Sequence, residues 1–230
     1  MKLVLTILLV SLNYCLYGQF LPTDLPRISI WYSSDSVQYS GGTVSTLFDK
    51  SGNNNNATQP SAALQPFFND SNSLLNYKPA IVFNGSGRYL DLTQVNSYDS
   101  VTLFFVAKNN DTTYGGVILS KKNDWFNSVY LTDDFLRFWT NSQNVTLNYS
   151  NNSLYKLGTI RYDGDSCRIR INESEETAGA LNGIFTTDNL GLYSNDNNYS
   201  FDGEMAEIIV YDTTLSPAQQ LLVEKYLHDK

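Results

Sequence analysis

Apolar and polar positions alternate with a two-residue period along most of this chain, and the signal is clearest in residues 201–227, FDGEMAEIIVYDTTLSPAQQLLVEKYL. Both parities of Met205 to Tyr211 are largely apolar, which predicts a strand covered on both faces. Strict alternation places Glu207 with Met205, Ile209 and Tyr211, and Glu204 on the opposite face. Ser216, Pro217 and Gln219 then supply an N-cap, a first helical residue and the third-position partner of a capping box, so a helix is expected from about Pro217 to His228. Leu221, Leu222, Lys225 and Tyr226 fall at helical spacing, and the apolar part of that face is expected to lie on the sheet.

The same period predicts strands at Ile28 to Trp31, Val44 to Phe48, Val101 to Lys108, Gly116 to Ser120, Ser128 to Leu131 and Phe135 to Thr140. Ala80 to Phe83 and Arg88 to Leu92, on either side of Asn84 to Gly87, read as one hairpin. Leu154 to Tyr162 and Ser166 to Asn172 read as another around Asp163-Gly164-Asp165, with Cys167, Ile169 and Ile171 on its dry face. Asp49 to Gln59 has the Asp, Ser, Gly and Asn content of a loop shaped by side-chain hydrogen bonds. The stretch from there to Lys78 reads as a long surface crossing.

Composition agrees with many short strands joined by polar turns: 12 Phe and 16 Tyr accompany only 17% charged residues. Residues 1–18 differ in kind, with Lys2, an apolar run from Leu3 to Leu12 and a more polar exit to Gly18, which is the pattern of a secretory signal peptide. That run is about ten residues, and no later segment reaches the roughly twenty apolar residues of a membrane-spanning helix. Residues 19–230 are therefore expected to form one extracellular domain. Without the leader Cys167 is the only cysteine, and losing Lys2 changes the net charge from −8 to −9, a balance that disfavours nucleic acid and anionic membrane as partners. The expected fold is all-β, a two-sheet antiparallel β-sandwich with a short C-terminal helix.

Several stretches also carry a family resemblance. Trp31 followed by FDKSGNNNNATQ, then YKPAIVFNGSGRYLDL, VTLFFVAK, IRYDGDSCRIRINE and the closing strand and helix resemble the laminin-G-like or concanavalin-A-like lectin/glucanase jelly rolls. The likeness departs at Leu47 and Ser33, where such sequences often carry Trp and Asp. It implies a jelly roll, and lectins, adhesion modules and hydrolases all share that fold.

Hydrolases of this fold carry a row of alternating acidic residues on one strand, and Glu204-Met205-Ala206-Glu207 lacks that row. His228 is the only histidine, so no triad or histidine metal site can be assembled from this sequence. The sequence is thus expected to be non-catalytic and to need no cofactor. Calcium is the one metal its loops would suit, at Asp49 with Asn53 to Asn56 or at Asp163 with Asp165, although Asx turns explain both. Saccharides are held by aromatic rings stacked on the sugar and by planar polar groups bonded to its hydroxyls. With Leu136 and Phe138 in the core, Phe135, Arg137 and Trp139 share an outer face, Trp125 precedes them, and Tyr193, Asn195 and Asp196 cluster in a later loop. Trp125, Arg137, Trp139, Tyr193, Asn195 and Asp196 are therefore the expected ligand site, for carbohydrate or a glycosylated surface. Glu207 is expected to pair with Arg137 or to serve a ligand. A structural or adhesion module that binds protein, and a divergent polysaccharide-cleaving enzyme, are the alternatives.

Overall fold

The structure, a computed structural model, describes residues 19–110, 116–150, 154–173, 175–192 and 200–230. Among the described residues, sixteen strands alternate apolar and polar positions and are rich in the β-branched and aromatic residues that suit a pleated, half-buried surface. They are β1 (Ile28–Ser40), β2 (Thr43–Asp49), β3 (Ala57–Thr58), β4 (Phe67–Asn72), β5 (Lys78–Asn84), β6 (Leu90–Tyr98), β7 (Val101–Asn109) and β8 (Gly116–Lys121). The series continues with β9 (Asp124–Leu131), β10 (Phe135–Thr140), β11 (Gln143–Asn148), β12 (Lys156–Tyr162), β13 (Ser166–Ile171), β14 (Glu175–Ala180), β15 (Phe185–Leu190) and β16 (Asp202–Tyr211). The one α-helix among the described residues, α1 (Pro217–Asp229), follows β16.

Hydrogen bonding joins the strands in the order β11-β10-β9-β8-β15-β6-β3-β2-β4-β5-β16-β7-β12-β13-β14, and β1 pairs with both β2 and β16. The pairs β1·β2, β2·β4, β4·β5, β5·β16 and β16·β1 complete a ring, a closed five-strand barrel within the larger path. The path then bends back on itself, because Phe138 of β10 packs against Tyr162 of β12 with ring centroids 5.8 Å apart and against Phe185 of β15 at 4.8 Å. Inward residues from both stretches share one core, in which each fully buried Leu, Ile or Phe contributes about 1.5–3 kcal/mol. Packing is close enough that a Cβ on Gly158 would lie 2.1 Å from the Phe105 ring, so the β7–β12 contact requires glycine there.

A second, smaller cluster lies on the outer face of β1, β7 and β16, where Trp31, Phe104, Ile209 and Tyr211 meet Val223 and Tyr226 of α1. The capping box forms as expected: Gln219 N donates to Ser216 Oγ at 3.3 Å and Ser216 N to Gln219 Oε1 at 3.0 Å. The expected helix face is corrected, because Leu221 and Leu222 are exposed and α1 buries Gln220, Val223, Glu224 and Tyr226. Polar residues turn inward because they have partners: Thr159 Oγ1 and Gln220 Nε2 both donate to Glu224 Oε1, at 2.9 and 2.8 Å.

Two other expectations change. β5 and β6 do not form a hairpin, since β5 pairs with β4 and β16 while β6 pairs with β3 and β15. The surface crossing before Lys78 contains β4, whose Phe67 and Phe68 pair with Val82 and Ile81 of β5. The hairpin at Asp163-Gly164-Asp165 does form, with Cys167, Ile169 and Ile171 in the core.

Candidate functional site

A wide irregularity builds the first candidate surface. Lys121 pairs with Asp124 but Ser120 pairs with Ser128, so residues 125–127 are extra on β9 and swell outward. This carries Trp125 to the outer face although it shares parity with core residues Val129 and Leu131. The swelling is pinned by Asp124, which accepts from Phe126 N at 3.1 Å and Asn127 Nδ2 at 2.8 Å, while Asn127 Oδ1 accepts from Thr186 N of β15 at 2.8 Å.

Beside it β10 buries Leu136 and Phe138 and leaves Phe135, Arg137 and Trp139 outward, as the alternation requires. Trp125 lies 6.0 Å from Trp139 and 5.4 Å from Tyr130, and Phe126 lies 5.8 Å from Trp139. The Arg137 guanidinium sits 4.5 Å from the Phe135 ring centroid and 5.7 Å from that of Trp139. Its Nε donates to Thr146 Oγ1 at 2.7 Å, and that hydroxyl donates on to Asn144 Oδ1 at 3.0 Å, which orients the plane. Its two terminal amino groups have no hydrogen-bond partner among the described residues. The structure thus brings Trp125, Arg137 and Trp139 into one platform. Tyr130, almost buried beneath it, was not among the expected residues, although its parity with Ser128 and against Val129 would have found it. Tyr193, Asn195 and Asp196 lie outside the described residues.

The second candidate region surrounds Glu207, and here parity misleads. β16 pairs Met205 with Ala107 and Glu207 with Val106, so Ala206 is an inserted residue and the strand changes face across it. Met205 and Ile208 enter the main core while Glu204 and Glu207 both face outward. Glu207 does not meet Arg137. Trp31 Nε1 and Tyr226 Oη donate to its Oε1 at 2.7 and 3.0 Å, and Lys230 Nζ lies 2.8 Å from its Oε2. Burial, reinforced by the Glu207 charge, pushes the Tyr226 hydroxyl far above its ordinary range, so it remains a donor. Glu204 accepts from Tyr155 Oη at 2.8 Å and Asn72 Nδ2 at 2.5 Å, with Lys108 Nζ at 3.5 Å.

Asp35 belongs to the same region. Burial pushes its carboxyl upward, but the Ser33 hydrogen bond and the ammonium groups of Lys230 and Lys50 outweigh it and hold the carboxyl at about 2. Ser33, Asp35, Val106, Leu157, Glu207, Lys230 and the Leu74–Pro79 segment enclose a cleft of about 550 Å³. Both loops that would suit calcium use their carboxylates internally: Asp49 accepts from Trp31 N, Ser51 N, Ser51 Oγ and Asn55 N, and Asp163 from Asp165 N, Ser166 N and Ser166 Oγ. Among the described residues no group of three or more His, Cys, Asp or Glu gathers as metal ligands, and no helix is long and apolar enough to cross a membrane.

No protein-family model and no curated protein matches the sequence. Among solved structures, the chain is similar to domain 4 of AbnA, a GH43 extracellular arabinanase from Geobacillus stearothermophilus in complex with arabinotriose, with a TM-score of 0.61 at 16% identity over 87% of this chain and 98% of that one. It is also similar to the binding domain of Paraclostridial Mosquitocidal Protein 1, with a TM-score of 0.61 at 14% identity over 91% of this chain and 53% of that one. A botulinum neurotoxin type C chain, described as interacting with two ganglioside molecules, gives a TM-score of 0.55 at 16% identity over 89% of this chain and 52% of that one. The chain spans about half the length of the two toxin chains. At these identities the likeness is one of fold, and this chain shares a β-rich architecture with an arabinanase domain and with toxin binding domains.

Proposed function

We propose that the chain is an exported, non-catalytic recognition module that binds carbohydrate or a glycosylated surface through the Trp125, Arg137 and Trp139 platform. Residues 1–18 act as its leader, and residues 19–230 form a β-sandwich of the concanavalin-A-like jelly-roll kind. The observation that carries the reading is Arg137, which lies between the Phe135 and Trp139 rings with its terminal amino groups unoccupied among the described residues. A sugar needs that combination, a ring to cover its C–H face and fixed planar donors for its hydroxyls. The arabinotriose and gangliosides named for fold neighbours support the ligand class. Glu204 and Glu207 share an outer face, yet protein donors already engage each of them, which supports a binding role over a hydrolytic one.

A glycan array probed with the wild-type chain, Arg137→Ala and Trp139→Ala tests the reading. Binding that falls at least tenfold in each variant, with unfolding unchanged, is the expected result, since a ring or guanidinium central to a small site carries more than about 1 kcal/mol. Equal binding by all three proteins would remove the platform from the site. A stable protein complex without glycan binding would select the adhesion alternative, and turnover of a polysaccharide would select the enzymatic one.

A further inference from the structure

The cleft around Glu207 lies on the other outward side of the molecule from Trp139, because Phe138 of β10 and Tyr162 of β12 meet inside the core that separates the two surfaces. Its floor is a row of outward residues on four adjacent strands: Leu157 of β12 pairs with Val106 of β7, Val106 with Glu207 of β16, and Glu207 with Ser33 of β1. At about 4.8 Å between strands the row is roughly 14 Å long, and the cleft of about 550 Å³ above it lies in the size range of small-molecule sites. The β4–β5 connection with Asn76, and Lys78 at the start of β5, wall one side, and Leu227 of α1 with Lys230 just beyond it wall the other.

The row changes character along its length. Leu157 and Val106 make an apolar end. At the other end Lys230 Nζ lies 2.7 Å from Ser33 Oγ, 2.8 Å from Glu207 Oε2 and 3.1 Å from Asp35 Oδ2, so its three protons are all engaged. A carboxylate accepts about four hydrogen bonds; Glu207 receives three, and Asp35 receives Lys50, Lys230 and Ser33. Each therefore keeps accepting capacity while its charge is already balanced, and Asp35, 42% exposed against 4% for Glu207, is the more open of the two. At this end of the row an anionic ligand would meet two carboxylates, and a cationic one would have to displace a lysine held at three points; Lys78, Lys156 and Glu173 also line the cleft. A neutral ligand that donates hydroxyl protons from one edge and lays a C–H face on Val106 and Leu157 fits both ends. On the far rim Asn172 Oδ1 accepts from Leu157 N at 3.0 Å.

We propose that this cleft is a second saccharide site, one or two sugar units in size, so that the chain carries two sites on opposite faces. The ligand class follows from the lining of the cleft alone, and only the bivalence rests on the platform reading. Two sites facing apart would let one chain bridge separate glycans, where avidity multiplies modest single-site affinities by about a hundredfold or more.

The chain's three tryptophans separate the two claims, since the Trp31 indole N–H is bonded to Glu207 at the cleft whereas Trp125 and Trp139 belong to the platform. Indole N–H resonances of the full chain are followed by NMR during titration with lactose, cellotriose and 3′-sialyllactose, each to about 10 mM, which covers millimolar affinities. The expected result is a saturable Trp31 shift whose dissociation constant differs from that of the platform indoles. It should weaken at least tenfold in Val106→Phe, or in Leu157→Trp should the first variant fold poorly, and persist in Trp139→Ala. Platform indoles that move while Trp31 stays still, or a Trp31 shift unchanged in both filling variants, would overturn the cleft site and leave the platform standing. Movement of Trp31 alone upholds the cleft and removes the bivalence. Silence of all three indoles with all three sugars removes both sites.

Discussion

Replacing Glu207 with alanine removes the common acceptor of Trp31 Nε1, Tyr226 Oη and Lys230 Nζ. The Trp31 and Tyr226 donors sit in residues only 5% and 8% exposed, and a buried donor stripped of its acceptor costs about 1–3 kcal/mol. The Lys230 side chain is 22% exposed and keeps Asp35, so its share is under about 1 kcal/mol. The total is about 2–7 kcal/mol, which brackets the roughly 3–5 kcal/mol found when one partner of a buried charge pair is deleted. For a domain of this size each kcal/mol is worth about 2–4 °C, so Glu207→Ala should lower Tm by roughly 4–28 °C. Glu207→Gln keeps an acceptor for the two neutral donors and loses the counter-charge of Lys230, so its cost should be about 1–2 kcal/mol. Urea unfolding followed by circular dichroism measures both, and a cycle with Trp31→Phe should show coupling of about 1–3 kcal/mol. If Glu207→Ala unfolds within about 1 kcal/mol of wild type, the carboxylate is not the hub its geometry indicates.

Other consequences are equally open to measurement. Gly158→Ala should cost about 3 kcal/mol or more, because its Cβ would fall 2.1 Å from the Phe105 ring, and the loss should appear as a lower urea midpoint with the m-value unchanged. The folded-state pKa of Asp35 is depressed from its ordinary 3.8 to about 2, so its contribution to stability is present above about pH 4 and is lost as pH falls through 2. A carboxyl-carbon NMR titration should place its midpoint near 2 in the wild type and visibly higher in Lys230→Met. Cys167 is buried in the core, and burial together with the Asp163 charge pushes its thiol well above the ordinary range. A thiol reagent at pH 8 should therefore leave Cys167 unmodified in the folded chain and label it stoichiometrically in denaturant.

How far the sequence could be read depended on whether the deciding interactions were local. Ser216, Pro217 and Gln219 lie within four residues of one another, and their capping box is legible because nothing distant contributes to it. Regular alternation likewise placed Leu136 and Phe138 inside and Arg137 and Trp139 outside. Alternation failed where one strand held a residue its partner did not match. The insertion at Ala206 turned Glu204 and Glu207 onto one face, and the swelling at residues 125–127 moved Trp125 outward. Long-range partners were the other blind spot. Trp31 reaches Glu207 across 176 residues, Lys230 reaches Ser33 across 197, and no spacing rule links them. The exposure of Leu221 and Leu222 follows from the same cause, since Glu224 turns inward only because Thr159 and Arg170 wait there.

The ring of β1, β2, β4, β5 and β16 also sets the order in which the molecule can be made. β16 pairs with β1, β5 and β7, so the last of the ring's strands to emerge from the ribosome completes the ring between elements synthesised long before. At about 5–20 residues per second, the span between Trp31 and its strand partner Ile209 takes on the order of ten seconds or more to synthesise. Over that interval β1 holds only its β2 edge, and the outer cluster has neither Ile209 nor Tyr211 to cover Trp31. Closure of the ring therefore waits on β16. Nascent chains arrested before residue 202 should stay protease-sensitive throughout β1, β5 and β7, and protection should arrive in a single step once β16 is released.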